Sequence, residues 1–293
     1  MRRESKPALI VRLKGGLGNQ LFEYASGRAI ANRNGVPLYL DVESGFLQDP
    51  FTRSFALGSF GVSAQCLTRQ EALALAPPAL KTQYLRRREI IRMNWLSEYH
   101  DPVLHSIRVR KPILLDNYLQ SPLYFMDCAA TIRSELGAKR LHQFPSGADS
   151  ACSQDTVCVH SRRFPDLAAA GVGPAVQQYY GAYGIDYYRA SMQIIRTERP
   201  GAKFYLFGDD PAWMRNNILP ICPDGKVIDT GSALADFQMM LQCTHFVISN
   251  STFGWWAAWL GHKDNSIVFC GASWNQGERK PPRNLLPPAW RKL

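Results

Sequence analysis

The chain has 293 residues, of which 46% are hydrophobic and 20% charged, with a formal net charge of +10 and an isoelectric point near 9.4. This length accommodates two domains of about 150 residues, each with its own core, and the composition excludes a disordered or low-complexity chain. The positive charge indicates an anionic partner, and nucleic acid, a phospholipid surface and a phosphorylated small molecule would all satisfy it.

The first predicted elements form a β–loop–α–β unit. Residues 8–13 are a short apolar run that ends in a glycine-rich turn, and apolar residues then recur at helical spacing until Asn34-Gly35. A second strand is predicted over residues 36–42. The first apolar run is too short for a signal peptide or a membrane-spanning helix, so we expect a cytoplasmic protein.

The glycine loop departs from two common phosphate-binding motifs. A Gly-x-Gly-x-x-Gly pattern counted from Gly16 meets Leu21 in place of its third glycine, and no Gly-Lys-Ser/Thr sequence follows. These departures weigh against an NAD(P)-dependent oxidoreductase and a P-loop protein. Gly16 and Gly18 instead predict a tight turn with close backbone approach, and we expect Asn19 and Gln20 to present their amides into the cleft.

The middle of the chain is less regular. A helix that begins at Thr68 is predicted over residues 67–76, a strand over 112–119 and a helix over 124–136. Residues 142–155 are rich in Ser, Gly and Pro without apolar periodicity, which is typical of a linker.

The second half alternates regularly between strands and helices. Strands are predicted at residues 156–160, 203–208, 226–229, 245–249 and 266–270, and helices at 185–198, 211–218, 233–242 and 253–260. This alternation predicts a parallel sheet with helices on both faces, so the second half is a Rossmann-like domain. The first half is predicted to be a looser version of the same architecture.

Polar clusters follow three of these strands, at the edge where ligands bind to open parallel sheets. They are His160 with Arg162 and Arg163, Asp209 with Asp210, and Ser249 with Asn250, Ser251 and Thr252. The planar guanidinium group of arginine binds diphosphates well, because it donates two parallel hydrogen bonds and keeps its charge. Of two adjacent arginines, we expect one to bind phosphate and the other to hold a carboxylate. The serine-rich cluster opens a predicted helix, where backbone amides attract anions.

Each cluster also has a purely structural interpretation. Ser251 or Asn250 could cap the following helix, and Arg162-Arg163 could form ordinary salt bridges. The Asp209-Asp210 pair could hold a divalent metal, but capping of the helix at Pro211 or a bond to ribose is favoured. Trp255 and Trp256 are predicted to be core. Cys158, Cys243 and Cys270 are predicted to be small buried side chains, and without Cys-x-x-Cys pairs the sequence suggests neither a zinc ribbon nor a thioredoxin site.

Four segments in order along the chain together resemble the signatures of glycosyltransferase family 11, the α-1,2-fucosyltransferases. They are Gly15-Gly-Leu-Gly-Asn-Gln-Leu-Phe22, Tyr118-Leu-Gln-Ser-Pro-Leu-Tyr-Phe125, His160-x-Arg162-Arg163 and Asn250-Ser-Thr-Phe-Gly-Trp-Trp-Ala257. Asp236, Cys243 and His245 also match the family pattern. The matches span roughly residues 9–262, nearly the whole chain.

The resemblance implies a GT-B-type enzyme with two Rossmann-like domains facing across a cleft. Residues 1–145 would form the acceptor-side domain and residues 156–293 the domain that binds the GDP-sugar. The enzyme would transfer L-fucose from GDP-fucose to the 2-hydroxyl of a galactose-type acceptor, with inversion and without a metal or other cofactor.

The resemblance also implies roles for the clusters. Arg162 would clamp the diphosphate and stabilise the leaving GDP. Arg163 and His160 would position the diphosphate, and Ser251 and Thr252 would add hydrogen-bond donors. Asn19 and Gln20 would close on donor and acceptor from the first domain.

Two positions depart from the family pattern. The family pattern is His-x-Arg-Arg-Gly-Asp-Tyr, whereas this chain has His160-Ser-Arg-Arg-Phe-Pro-Asp166. The glycine is absent here, and the acidic residue comes one position later. The serine usual before the paired tryptophans is Gly254. Asp166 is the first candidate for a catalytic carboxylate, with Asp209 and Asp210 as alternatives.

The family resemblance and the positive charge of the chain favour a bacterial-type enzyme that acts on a surface-glycan or lipopolysaccharide precursor. Such an enzyme would be in peripheral contact with the anionic inner membrane. Nucleic-acid binding is not expected, because aromatic residues are not interleaved with the basic ones in a regular module. Two alternatives stay open: a non-catalytic protein that binds GDP or a nucleotide sugar, and an NAD(P)-dependent oxidoreductase.

Overall fold

The computed structural model describes residues 6–76, 105–137, 155–165, 169, 171, 182–274 and 284–293. These residues form two compact units, the first within Met1–Gly137 and Arg283–Pro287, the second within Ala138–Pro282 and Pro288–Leu293. Each unit has a parallel β-sheet and helices, which confirms the predicted α/β class. The predicted linker at 142–155 lies outside the described residues except for Asp155.

The sheet of the first unit is built around its first strand. Its strands are β1 (Leu9–Arg12), β2 (Leu38–Asp41), β3 (Gln65–Leu67) and β4 (Ile113–Leu115). They pair in parallel in the order β3-β2-β1-β4, and β1 is buried throughout because it lies between two neighbours. The sequence did not predict β3, whose Gln-Cys-Leu stretch is short and lies at the sheet edge.

The helices of the first unit are α1 (Leu17–Asn34), α2 (Arg69–Leu75) and α3 (Ala129–Leu136). As predicted, α1 ends at Gly35, which adopts φ 62 in the left-handed region. A Cβ added to Gly27 would lie 2.5 Å from Val11 Cγ2, so Gly27 permits the close packing of α1 on β1. Thr68 and Glu71 form a capping box at the start of α2, in which each side chain accepts a hydrogen bond from the backbone N–H of the other residue. This confirms the predicted helix start.

Two predictions for the first unit need correction. The strand predicted over 112–119 is limited to Ile113–Leu115. The single helix predicted over 124–136 is wrong, because two 3₁₀ turns, Pro122–Tyr124 and Met126–Cys128, precede α3. Phe125 separates the two turns with φ −134, outside the helical region, and so interrupts the helix that the apolar spacing suggested.

The sheet of the second unit has the strand order of a Rossmann domain. Its strands are β5 (Thr156–Ser161), β6 (Lys203–Gly208), β7 (Lys226–Val227), β8 (His245–Ile248), β9 (Val268–Cys270) and β10 (Arg291–Lys292). They pair in parallel in the order β10-β9-β8-β5-β6-β7, which read from β7 is the 3-2-1-4-5-6 pattern. The direction of strand addition reverses between β5 and β8, so the switch point lies there.

The helices of the second unit are α4 (Ile185–Glu198), α5 (Pro211–Trp213), α6 (Ala233–Met240) and α7 (Thr252–Gly261). The helix predicted over 211–218 is helical but irregular, because α5 continues as a π-helical turn over Met214–Ile218. Edge strand β10 was not predicted, since two basic residues carry no strand signal.

Tryptophans form part of the core of the second unit. Trp255 and Trp256 are fully buried, as predicted. Trp255 stacks on Trp259 with ring centroids 6.1 Å apart and lies 5.5 Å from the ring of Trp290. The cysteines predicted to be buried, Cys158, Cys243 and Cys270, are buried.

Candidate functional site

The polar residues at the switch point of the second sheet form one connected group. His160 lies near the end of β5, and Ser249 directly follows β8. The Ser249 N–H donates to the His160 carbonyl at 3.1 Å, and Ser249 Oγ lies 3.2 Å from His160 Nδ1. The parallel pairing of β5 with β8 therefore joins two clusters that are nearly ninety residues apart in sequence.

Asp209 organises the turn that carries the paired arginines. Arg162 Nη1 donates to Asp209 Oδ2 at 2.7 Å, and the backbone N–H of Arg163 donates to Oδ1 at 2.7 Å. The N–H of Phe164 donates to the same Oδ2 at 3.0 Å. Burial raises the pKa of Asp209, and Arg162 and these N–H groups oppose that rise. One carboxylate thus fixes both the guanidinium and the backbone beside it.

The two arginines differ in their partners. Arg163 Nη1 donates to the Tyr183 carbonyl at 3.1 Å, and its guanidinium lies 4.1 Å from the Trp213 ring centroid. The arginine that holds a carboxylate is Arg162, whose guanidinium also faces the Phe164 ring at 4.9 Å. Arg163 is therefore positioned by a carbonyl and an aromatic face.

Phe164 occupies the position where the family pattern has glycine. Its φ is 60, in the left-handed region that disfavours side chains with a Cβ. The turn thus keeps the backbone conformation suited to glycine, and a bulky residue is held there by the hydrogen bond of its N–H to Asp209 and by the contact of its ring with the Arg162 guanidinium. Asp166, the shifted acid of this segment, lies outside the described residues.

His160 is neutral at physiological pH. Burial, with the nearby Arg162 as a smaller cause, lowers its pKa to about 3. Its ring stacks on Phe253 with centroids 5.7 Å apart. A Cβ added to Gly254 would lie 2.8 Å from His160 Nδ1, so the missing side chain at Gly254 makes room for the imidazole. A ring with this pKa can bind or orient a ligand but is a weak proton acceptor.

The serine-rich cluster leads into α7. Ser249 and Asn250 are buried, whereas Ser251 and Thr252 are partly exposed. Ser251 occupies the N-cap position of α7, but its side chain makes no capping bond. Because only residues 249–251 separate β8 from α7, the first-turn amides of α7 lie at the switch-point edge of the sheet, where they favour negative charge.

Asp210 caps α5, as its sequence position suggested. Its Oδ1 accepts from the Trp213 N–H at 2.9 Å. Both acids of the Asp209-Asp210 pair are therefore bonded to protein donors. Within the described ranges, no three histidine, cysteine or acidic side chains gather into a group that could hold a metal ion.

In the first unit the glycine loop lies at the start of α1. Gly15 adopts φ 69, Gly16 is the N-cap of α1, and Gly18 is buried in its first turn. Asn19 is partly exposed, and its Oδ1 accepts from Gln120 Nε2 at 3.0 Å.

The prediction that Gln20 presents its amide into a cleft is wrong. Its side chain is fully buried, and Nε2 donates to the carbonyls of Gly15 and Ser54, each at 2.9 Å. Its Oε1 accepts from the Ala56 N–H at 2.8 Å. Gln20 therefore ties the glycine loop to residues 54–56.

A charged cluster at the same sheet edge was missed by the sequence analysis. Asp116 Oδ2 accepts from Arg12 Nη1 at 2.6 Å, and its Oδ1 accepts from Lys14 Nζ at 2.8 Å. Arg12 Nε also lies 3.8 Å from Asp41 Oδ2. Glu23 is fully buried and accepts from the Lys14 N–H at 3.0 Å, and burial raises its pKa well above the usual value.

A sequence signal for this cluster existed. Arg12 and Asp41 are the last residues of β1 and β2, and Asp116 directly follows β4. The rule that identified His160 and Asp209, a polar residue at the end of an apolar strand, applies equally to these three.

Comparison with known proteins places these features in a family. The family model of Glycosyl transferase family 11 matches residues 100–291. The chain is 23% identical over 297 residues to an alpha-1,2-colitosyltransferase of Escherichia coli, covering 97% of this chain and 98% of the relative. It is 25% identical to a galactoside 2-alpha-L-fucosyltransferase of Caenorhabditis elegans, covering 98% of this chain and 79% of the relative.

Solved structures share the fold. Fucosyltransferase NodZ from Bradyrhizobium is 16% identical with a TM-score of 0.51, covering 86% of this chain and 92% of NodZ. A variant of Arabidopsis thaliana FUT1 in complex with GDP is 11% identical with a TM-score of 0.50, covering 98% of this chain and 76% of FUT1. These likenesses confirm the predicted GT-B-type fold.

No helix in the described parts of the chain combines the length and apolar character needed to cross a membrane.

The family match covers most of the chain and contains both the arginine turn, residues 162–164, and the serine-rich cluster, residues 249–252. It confirms the resemblance carried by the sequence motifs. The chain belongs to glycosyl transferase family 11 and is a glycosyltransferase.

Proposed function

We propose that this chain transfers L-fucose from GDP-fucose to the 2-hydroxyl of a galactose-type acceptor, with inversion and without a metal ion. One observation carries the proposal: in a family 11 chain, His160, Arg162 and Ser249 meet at the switch point of a sheet with Rossmann strand order. This is the place where open parallel sheets bind nucleotides.

The second unit, predicted as residues 156–293, binds the donor in this proposal. Arg162 meets the diphosphate while Asp209 keeps its guanidinium oriented, because the five N–H donors of arginine allow both contacts at once. The two roles that the sequence analysis divided between the paired arginines thus both belong to Arg162 in this proposal. Arg163 and the first turn of α7, with Ser251 and Thr252, add positive potential and donors. Their combined effect is greatest when the sugar–oxygen bond breaks and negative charge grows on GDP.

The proton of the acceptor hydroxyl needs a base, and the described residues narrow the choice. His160 is too weakly basic, since burial lowers its pKa to about 3. Asp209 is occupied by Arg162 and two backbone N–H groups, and Asp210 caps α5. Asp166 therefore stays the leading candidate for the catalytic carboxylate.

The acceptor belongs to the first unit in this proposal, with Gly16, Gly18 and Asn19 at the end of β1. A relative named O-antigen biosynthesis glycosyltransferase WbnK, from Escherichia coli, is 23% identical over 92% of this chain and supports a bacterial surface-glycan precursor. The net charge of +10 supports peripheral contact with an anionic membrane.

The sugar could also be colitose, because the Escherichia coli colitosyltransferase aligns with 97% of this chain. Colitose is a deoxy form of L-fucose, so the two donors differ in one hydroxyl. Competition between nucleotide-activated fucose and nucleotide-activated colitose for a common acceptor would identify the preferred donor.

The first test is calorimetric titration with GDP, ADP and UDP in the presence of EDTA. We expect selective binding of GDP, followed by transfer from GDP-fucose to β-galactosides with a product linkage that NMR identifies as α-1,2. GDP binding without turnover on any galactoside would favour the non-catalytic alternative. Absence of GDP binding would contradict the proposal.

A further inference from the structure

Arg163 retains most of its hydrogen-bonding capacity at the switch-point edge of the second sheet. Of the five N–H donors of an arginine, one on Nη1 is bonded to the Tyr183 carbonyl at 3.1 Å, and the side chain is partly exposed. Within the described ranges Arg163 pairs with no carboxylate, whereas the charge of Arg162 is balanced by Asp209. The charge of Arg163 is therefore available to an anionic ligand.

An aromatic ring supports this guanidinium. The Arg163 guanidinium carbon lies over the Trp213 ring, 4.1 Å from its centroid. The ring quadrupole attracts the cation, and this attraction, unlike a hydrogen bond, uses none of the N–H donors of the arginine. Trp213 therefore holds Arg163 without reducing what the arginine can donate to a ligand.

Trp213 is itself fixed in place. Its backbone N–H donates to Asp210 Oδ1 at 2.9 Å, and its ring packs edge-on against the ring of the fully buried Tyr188, with centroids 5.9 Å apart. The chain then continues as the π-helical turn Met214–Ile218, and such turns are frequent at functional sites. Arg163 thus rests on a ring that is held through both its backbone and its edge.

The carbonyl that accepts from Arg163 is fixed as well. The Tyr183 hydroxyl donates to the Ser273 carbonyl, and the Tyr183 ring lies 4.7 Å from the ring of Tyr187. A Cβ added to Gly271 would lie 2.1 Å from Tyr183 Cζ, so the ring packs closely on the backbone of that glycine. Arg163 is located by two partners that are each held by their own surroundings.

We infer that Trp213 is a positioning residue for recognition of the donor diphosphate, because it holds Arg163 while leaving the N–H donors of that arginine to phosphate oxygens. The adjacent acids then serve one arginine each, Asp209 by an ion pair with Arg162 and Asp210 through Trp213. This inference rests on the proposed function, in which the second unit binds GDP-fucose. It assigns Trp213 to the diphosphate and not to the guanine base.

Trp213→Met tests the inference, because methionine fills irregular space in a core but has no ring quadrupole. We expect GDP affinity to fall about fivefold or more, while guanosine affinity stays within about twofold of the wild type. Calorimetry measures the first and ligand-observed NMR the second. Trp213→Phe keeps a ring beneath Arg163 and should restore most of the GDP affinity. Equal losses for GDP and guanosine would mean that Trp213 contacts the base, and unchanged GDP affinity would mean that it positions nothing; either result overturns the inference.

Two further variants separate positioning from stability. Phe204→Met removes the ring that faces Arg196, 4.5 Å from its guanidinium, at the other end of β6 from Asp209. It should lower the free energy of unfolding and leave GDP affinity unchanged. In an Arg163→Gln background, Trp213→Met should no longer lower GDP affinity, because it acts through the arginine. Additive losses would overturn the inference.

A readout without ligand decides the inference even if the wild type binds no GDP, a result that would overturn the proposed function alone. NMR relaxation of protein labelled with ¹⁵N-arginine, with Arg163→Gln used for assignment, reports the mobility of the Arg163 Nε–H. We expect a rigid Nε–H in the wild type and in Trp213→Phe, and a mobile one in Trp213→Met. Tetrafluorotryptophan at position 213 weakens the quadrupole with little change in size, so it gives the same readout if Trp213→Met does not fold. An Nε–H as rigid in these replacements as in the wild type would overturn the inference.

Discussion

Asp209 and Arg162 are joined by a bond of 2.7 Å between Oδ2 and Nη1, and the side chains are 18% and 21% exposed. The same carboxylate accepts from the backbone N–H groups of Arg163 and Phe164. The arginine turn is thereby held in one conformation before any ligand arrives. Such preorganisation reduces the conformational cost of binding and of stabilising charge in the transition state.

Arg162→Ala should lower GDP affinity at least tenfold, because the loss of a charge-assisted contact to phosphate costs more than about 1.4 kcal/mol. The fold should survive, since the side chain lies at the end of a strand and is partly exposed. Calorimetric titration and thermal unfolding measure the two effects. Arg189→Ala, on the exposed face of α4, removes the same charge and should change neither. Unchanged GDP affinity in Arg162→Ala would contradict the proposed clamp.

Phe164→Gly should be more stable than Phe164→Ala, the reverse of the usual order. Both changes remove the ring that faces Arg162, but only glycine relieves the left-handed backbone, which costs other residues roughly 1–2 kcal/mol. Urea unfolding of the two variants measures the difference. At Gln193, an exposed position in α4, alanine should be more stable than glycine. If Phe164→Ala were also more stable than Phe164→Gly, the backbone at position 164 would not be strained.

Gly254→Ala should destabilise the protein by about 1–3 kcal/mol, the usual range for an overpacked core. The new Cβ would lie 2.8 Å from His160 Nδ1 and 3.4 Å from Ile248 Cβ, so the buried imidazole must move. GDP affinity should fall with stability, because His160 is bonded to Ser249 at the proposed donor site. Gly184→Ala is a suitable control, since its added Cβ meets nothing within 4 Å. Equal stability of the two variants would refute this packing argument.

Glu23→Gln should stabilise the protein increasingly as the pH rises. Burial raises the pKa of Glu23 well above 4.5, so the folded state retains a proton that the unfolded state releases. The stability that this proton confers is fully present below the pKa of Glu23 in the unfolded state. It is lost as the pH rises toward the pKa of Glu23 in the folded state, by at most about 1.4 kcal/mol per pH unit. Glutamine removes this loss and retains the oxygen that accepts from the Lys14 N–H.

Urea unfolding of wild type and Glu23→Gln between pH 5 and 8 checks this expectation. Glu71→Gln provides a control of opposite sign, because the capping bonds with Thr68 lower the pKa of Glu71. Glu71→Gln should therefore lower the stability of the protein at pH values above the ordinary pKa of glutamate. A stability difference between wild type and Glu23→Gln that does not vary with pH would show that Glu23 titrates normally.

Much of the fold could be predicted from sequence because its signals are local. The bounds of α4 and β6 agree with the predicted ranges, since apolar periodicity and flanking turn residues specify elements of this length. The end of α1 at Gly35 follows from the backbone freedom of glycine, and the capping of α2 follows from side-chain bonds between Thr68 and Glu71, three residues apart. Where helix signals conflicted, as around Phe125, the prediction failed.

The sequence by itself also determined which residues lie at strand ends, including His160, Arg162 and Ser249, and the family motifs that contain them. Only the tertiary structure decided their partners. Asp209 binds Arg162, and Gln20 turns inward to Ser54, because strand pairing and helix packing bring together residues 47 and 34 positions apart. Periodicity reports which face of an element is buried, whereas the choice of a hydrogen-bond partner depends on register and distance between elements, which exist only in the folded chain.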